Sequence, residues 1–460
     1  MKNLTNILRL MLLAFLLLPG RVAGGEIDYQ AAEQAYFFAR EHMEAGEVAE
    51  AMTAYREALR LRPGWDLAHY HLGYALAQEG KLDAAIAEYR MAVAADPDYA
   101  VAWNSLGVAL SRQGKAADAR KAFRKAAEAA PAYAETWFNL GVLALGLGDE
   151  GEARLAFERV VALRPGDAPA WFNLGYARSL SGLDEQALEA LDAALRIETE
   201  YAQAHALRGR VLARGHRNDD AEKALRRALA IDPDYADAWV ALGRLLEQAG
   251  KTDKARDAYA RGAGTPGGDA ARAAFQQGLL EYREGKLESA EAAFATAARA
   301  DPAEKRVHNN LGMTRLDQGD LEGAREAFAA AVAADPGYAL AQANLGSVCL
   351  RIRDLACAGA ALGEALRIDP SNVPARVDLA SVHWLKGENE QALAELRAAV
   401  ARDPADARAR LLLSRLLMET NHPREALASY RIFLDRFPEA PGARTAKRRV
   451  EELEKVLARQ

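Results

Sequence analysis

Between Ala134 and Asp167 the apolar and small residues fall into two short helical stripes. Trp137, Leu140, Gly141 and Ala144 follow the i, i+3, i+4, i+7 spacing of one helical face. Gly146–Glu150 interrupts the pattern, and Ala153, Phe157 and Val160 resume it at i, i+4, i+7. Arg164-Pro165 ends the second stretch, because proline lacks a backbone donor and pushes its predecessor out of the α region. The pattern predicts a helix, a turn and a second helix. Neither helix can bury its stripe alone, so the unit must stack on copies of itself.

Those copies are present. The pattern recurs every 34 residues, with Pro63, Pro97, Pro131 and Pro165 marking the ends. With this proline as position 32, repeats begin at Ala32, Asp66, Ala100, Ala134, Ala168, Ala202 and Ala236. One extra residue enters within Arg261–Ala270 (RGAGTPGGDA), and repeats restart at Ala271, Lys305, Ala339, Val373 and Ala407, making twelve. The fifth carries Thr199 in place of the proline. Position 8 is Gly in nine repeats and position 20 is Ala in all twelve. A glycine inside a helix destabilises it by ~1 kcal/mol, so close approach of the paired helices is expected to offset it. Position 4 is Trp at Trp103, Trp137, Trp171 and Trp239, expected as a plug between neighbouring repeats.

A W-x-x-L-G run, a mid-unit Ala, a Phe or Tyr four residues later and a terminal Pro at this period resemble the tetratricopeptide repeat, over Ala32 to about Pro438. The resemblance implies an all-α, right-handed superhelical solenoid of about twelve helix-turn-helix repeats, the first helix of each pair lining a concave groove. It also implies a scaffold that binds proteins or extended peptides. Departures are local: Arg208 replaces the usual Leu of repeat six, and Ala380 and Ser414 replace Gly in repeats eleven and twelve, where looser packing is expected. After Pro438, residues Ala446, Val450, Leu453 and Leu457 form one stripe of a helix whose other face is charged, the pattern of a cap on a solenoid end. The expected organisation is a signal peptide at 1–24, repeats one to seven at 25–262, a Gly/Pro-rich break at 263–270, repeats eight to twelve at 271–440 and a capping helix at 441–460. Glycine entropy and the one-residue slip make the break an expected hinge.

Charge and the first residues add a location. Lys2 and Arg9 flank a basic start, Leu10–Leu18 is uninterrupted apolar sequence, and Val22-Ala23-Gly24 supplies small residues after Pro19-Gly20. This is the three-part pattern of a secretory signal peptide, and its apolar run is well short of the ~20 residues that span a bilayer. A bacterial periplasm, or secretion, is the expected destination, and no other segment suits a membrane span. Removing residues 1–24 leaves 56 basic against 65 acidic side chains, a net charge of −9. Nucleic-acid binding would need a basic stripe and is not expected.

No catalytic motif is present, the repeats leave no room for a catalytic domain, and neither cofactor nor metal is expected. Acidic residues before proline, such as Asp96 and Asp335, read as helix-ending turns. The only cysteines, Cys349 and Cys357, sit at positions 11 and 19 of repeat ten, and both a disulfide and two buried thiols suit that placement. Candidate binding residues lie away from the core stripe, on the first helices. Position 9 is Tyr74 and Tyr176, with Val108 and Val142 between, and position 5 adds Tyr70, Phe138 and Phe172. Position 6 is Asn139, Asn173, Asn310 and Asn344, whose amides could hold an extended backbone through paired donor and acceptor groups. Arg210 and Arg244 at position 9, with Arg214 at position 13, offer guanidinium groups for an acidic segment. Together these predict a non-enzymatic protein-binding scaffold in an envelope assembly. The alternative is a carbohydrate-associated scaffold in exopolysaccharide synthesis or export, with the aromatic track stacking on sugars.

Overall fold

A computed structural model of the chain describes residues 28–267 and 269–458. The expected signal segment lies outside them. The described residues form twenty-five α-helices and no strand. Twelve hairpins follow the predicted repeats, from Tyr29–Glu44 with Val48–Leu61 to Ala407–Glu419 with Pro423–Arg436, and the helix Ala443–Leu457 comes last. The chain is an all-α repeat solenoid. It divides into two compact units, the first ending at Val211 and the second starting at Leu212, inside the first helix of repeat six. The 263–270 break lies inside the second unit.

Three positions explain why this sequence repeats as it does. At position 20, Ala51, Ala85, Ala119 and their nine counterparts are fully buried, so a larger side chain has no space there. Position 8 lies beneath the side chain at position 24 of the same hairpin. A Cβ on Gly141 would stand 2.7 Å from the Phe157 ring, and one on Gly107 would stand 2.6 Å from Phe123. The close approach is thus made by a ring laid over bare backbone, and burial of that ring offsets the helix penalty of glycine. Ala380 and Ser414 are themselves buried, and Ser414 Oγ lies 2.8 Å from both Arg410 O and Ser429 Oγ, so these departures are filled.

The third is position 15, where the hairpin turns. All twelve repeats place this residue at positive φ: nine are glycines, from Gly46 (φ 77°) to Gly387 (φ 78°), and three are His216, Arg353 and Asn421. Glycine takes this left-handed conformation without the Cβ penalty of other residues.

The position-4 residue is more than a plug. Trp103, Trp137, Trp171 and Trp239 each donate Nε1–H to the carbonyl of the position-32 proline of the preceding repeat, at 2.8–3.0 Å. The position-32 carbonyl is likewise met by His69, His205 (where it belongs to Thr199) and His308 through Nε2, by Gln342 and by Arg376, at 2.9–3.3 Å. That carbonyl belongs to the helix-ending turn and has no helical partner. Four residue types share one task, which is why Trp alone does not define the position. His69 shows the constraint most fully: Nε2 faces Pro63 O at 2.9 Å and Nδ1 faces a Glu88 carboxylate oxygen at 2.6 Å. Two acceptors require two N–H donors. Burial opposes that charge, but the Glu88 and Pro63 hydrogen bonds outweigh it and raise the pKa above the usual imidazole value.

Positions 11 and 19 face each other across the hairpin. Arg178 and Arg315 at position 11 each donate to the position-19 carbonyl, of Gln186 and Gly323, at 3.1 and 3.2 Å. In repeat ten the same two positions are Cys349 and Cys357, which form a disulfide with Cα atoms 5.8 Å apart, inside the range such bridges span.

The final helix buries Ala443, Ala446 and Leu453 in a cluster with Leu413, Leu417 and Phe433 of repeat twelve. An ion pair of 2.7 Å between Arg431 and Glu454 adds a polar tie.

Candidate partner-binding face

In the first unit the first helices of repeats two to five are Asp66–Gln78, Ala100–Arg112, Ala134–Gly146 and Ala168–Leu180. Their cores point toward their own second helices, through Leu72, Leu106, Leu140 and Leu174, all buried. Positions 2, 9 and 13 lie on the far side, two turns and then one turn apart along the helix. Four large apolar residues are exposed there: Leu67 (39%) at position 2, Tyr74 (43%) and Val142 (48%) at position 9, and Leu180 (47%) at position 13. Val108 and Tyr176 complete the position-9 row and are half-buried.

The other sequence candidates divide by environment. Tyr70 is half-buried with ring centroids 6.0 Å from Tyr89 and 5.2 Å from Tyr99, and Phe138 meets Phe157 edge-on at 5.7 Å. Phe172 packs 5.1 Å from Tyr201. These position-5 rings are half-buried parts of the scaffold, packed on rings at positions 24 and 34 of their own repeats.

The asparagines also serve the scaffold. Asn139 donates to Oδ1 of Asn104 at 3.0 Å, and Asn344 donates to Oδ1 of Asn309 at 2.9 Å, position 6 reaching position 5 of the preceding repeat. Asn173 and Asn310 donate back to the carbonyls of Pro169 and Arg306, at 2.9 and 2.8 Å. One N–H of each amide is thereby engaged, so the row is not an array of free amides. A comparable ladder joins positions 12 and 13 in the second unit, where Trp384 Nε1 donates to Glu419 at 3.0 Å and Tyr282 donates to Asp317. Arg210 is exposed in the first unit and Arg244 in the second.

Sequence reading passed over Leu67 and Leu180. The signal is in the sequence, since each falls on the stripe that runs through position 9, at positions 2 and 13. Leucine is so frequent in the core that its placement opposite the core stripe is what carries information.

Stacked antiparallel hairpins with a constant period define an α-solenoid, a helical scaffold that presents surfaces for protein–protein interaction. The chain belongs to the tetratricopeptide repeat family. Family profiles described as tetratricopeptide repeat match residues 104–168, 206–270, 275–339 and 309–373, and 144–211 and 383–449. A profile described as TPR repeat matches 39–80 and 73–114. No curated protein matches the chain. Among solved structures, the chain is similar to MamA, at 26% identity over 34% of this chain and 92% of that one (TM-score 0.33). It is similar to YrrB, titled a TPR protein with an unusual peptide-binding site, at 23% identity over 40% and 95% (TM-score 0.38). Yeast Tom70 aligns over 94% of this chain and 96% of its own at 13% identity (TM-score 0.35).

Proposed function

We propose that the first unit binds an extended segment of a partner protein along positions 2, 9 and 13 of repeats two to five. The observation that carries this is the set Leu67, Tyr74, Val142 and Leu180, exposed on a helix face that the repeat does not need for its own core. Large apolar residues grouped on one exposed face are characteristic of interaction sites. Chain segments in such a groove gain from burial of apolar side chains, with about 25 cal/mol per Å² of area removed from water. The composition of the stripe favours protein over sugar. Stacking on a pyranose needs exposed aromatic faces, and only Tyr74 of the four is aromatic. The chain acts by binding, without catalysis, on this reading.

Export is the second element of the proposal. The Cys349–Cys357 disulfide supports it, because such bridges persist in oxidising compartments and are rare in the cytosol. Together with the expected signal sequence it favours a periplasmic or secreted scaffold, with envelope or polysaccharide-export components as candidate partners. No helix among the described residues is long and apolar enough to cross a membrane.

The test is a pair of substitutions with a control. Tyr74→Ala with Tyr176→Ala is expected to weaken binding of the native partner at least tenfold and leave the melting temperature nearly unchanged, since surface changes usually stay within about ±0.5 kcal/mol. Trp137→Ala, which removes a ring and the hydrogen bond to Pro131, is expected to lower stability instead. A tyrosine pair that unfolds the protein and spares binding contradicts the proposal.

A further inference from the structure

Repeat twelve breaks the position-4 rule in a way that leaves a cation without its anion. In repeat two, position 4 is His69, which meets the preceding proline carbonyl and the carboxylate of Glu88. In repeat eleven it is Arg376, which donates to Pro370 O at 3.1 Å and to the carboxylate of Glu395 at 2.6 Å. Glu88 and Glu395 both occupy position 23, on the second helix of the same repeat. In these two repeats the basic residue at position 4 is held by two acceptors, one a carbonyl and one a carboxylate.

Repeat twelve has Arg410 at position 4 and neither acceptor. Position 23 is Ser429, which is buried and sits 2.8 Å from Ser414 Oγ. The Pro404 carbonyl is taken by Nη1 of Arg436, at 3.4 Å. Arg410 Nε is buried with no hydrogen-bond partner, and neither arginine forms an ion pair among the described residues. The nearby turn carboxylates are committed locally: Asp403 accepts from Ala405 N–H at 2.8 Å, and Asp406 caps its helix by accepting from Ala409 N–H at 2.7 Å. Burial and the neighbouring Arg436 both disfavour the charge on Arg410, lowering its pKa from the usual guanidinium value. Arg436 itself is exposed, so the pair opens to solvent.

We infer that Arg410 and Arg436 form a carboxylate-binding site, in which an acidic segment of a partner supplies from outside the group that Glu395 supplies within repeat eleven. A guanidinium presents its donors in a planar fork that matches a carboxylate, and partial burial strengthens such a pair relative to one in open water. The site lies in the second unit and outside the apolar stripe, so it stands or falls independently of the groove.

Calorimetric titration of the full chain tests it with three probes: acetylated tetraglutamate amide, acetylated tetra-alanine with a free C-terminal carboxylate, and inorganic phosphate. Binding of either peptide is expected, the first identifying a side-chain carboxylate and the second a chain end as the source. The binding peptide should shift the Arg410 Nε–H resonance. Arg410→Gln is expected to reduce the affinity at least tenfold. Ser429→Glu restores the missing carboxylate in place and is expected to do the same with an unchanged or raised melting temperature, which separates loss of the site from loss of the fold. Binding that survives Ser429→Glu, binding confined to phosphate, or no peptide binding overturns the assignment.

Discussion

Position 15 shows what single residues contribute to this chain. The hairpin turn demands a left-handed backbone in every repeat, and nine glycines meet it freely. Arg353 (φ 69°) and His216 (φ 58°) adopt it against the steric penalty of a Cβ, roughly 1–2 kcal/mol, while Asn421 (φ 61°) belongs to a residue type that tolerates the region. Part of the gain from glycine is lost to the greater freedom of the unfolded chain. Arg353→Gly is accordingly expected to raise the unfolding free energy by about 0.5–1 kcal/mol. Asn421→Gly should change it less. Urea titrations of the two variants check the ordering, and a destabilised Arg353→Gly protein would contradict it. The positive φ was legible only in part, because the glycine-containing interruption is visible in the sequence but its recurrence at His216, Arg353 and Asn421 is masked by side-chain identity. Position 4 was legible in part for a related reason: Trp137 packs against two core clusters, as its volume suggests, but it also donates a hydrogen bond to Pro131 O. Trp suggested volume, whereas His, Gln and Arg at the same place share only an N–H donor.

At the scale of elements, helix ends and pairing follow from the sequence almost throughout, because glycine, proline and the 34-residue beat act locally. Contacts between repeats were less legible. The asparagines at position 6 look like a recognition ladder in one dimension, yet Asn139 and Asn344 each reach an asparagine 35 residues back. The segment 263–270 is the other case. Its glycines suggest freedom, and one slipped residue suggests weak coupling. Across it, however, Gly262 lies so close to Trp239 and Ala273 that a Cβ would stand 2.9 Å from each. Arg256 also joins Asp253 to Glu281 and Glu284, at 2.5–2.6 Å. We propose a hinge whose opening is restrained by this ionic clamp. Limited proteolysis with a non-specific protease should then cut preferentially within 264–268, and faster in 1 M salt than at low ionic strength, because salt screens exposed parts of the clamp. Even cutting across all inter-repeat turns, or no salt dependence, contradicts the proposal.

Each unit is built of stacked hairpins whose constant positions build the scaffold and whose variable positions build its surfaces. Export is open to a direct check: N-terminal sequencing of the protein recovered outside the cytoplasm should find a start near Gly24–Glu26, and a start at Met1 would remove the signal-peptide reading. The central claim concerns the stripe on the first unit. It is tested most directly by placing a photo-reactive phenylalanine derivative singly at residues 74, 142 and 180, and at Leu155, a more exposed apolar residue (59%) on the second helix of repeat four. Irradiation of cells expressing each protein should join one common partner to positions 74, 142 and 180 and leave position 155 unlinked. Equal cross-linking at 155, or none along the stripe, would show that the partner binds elsewhere.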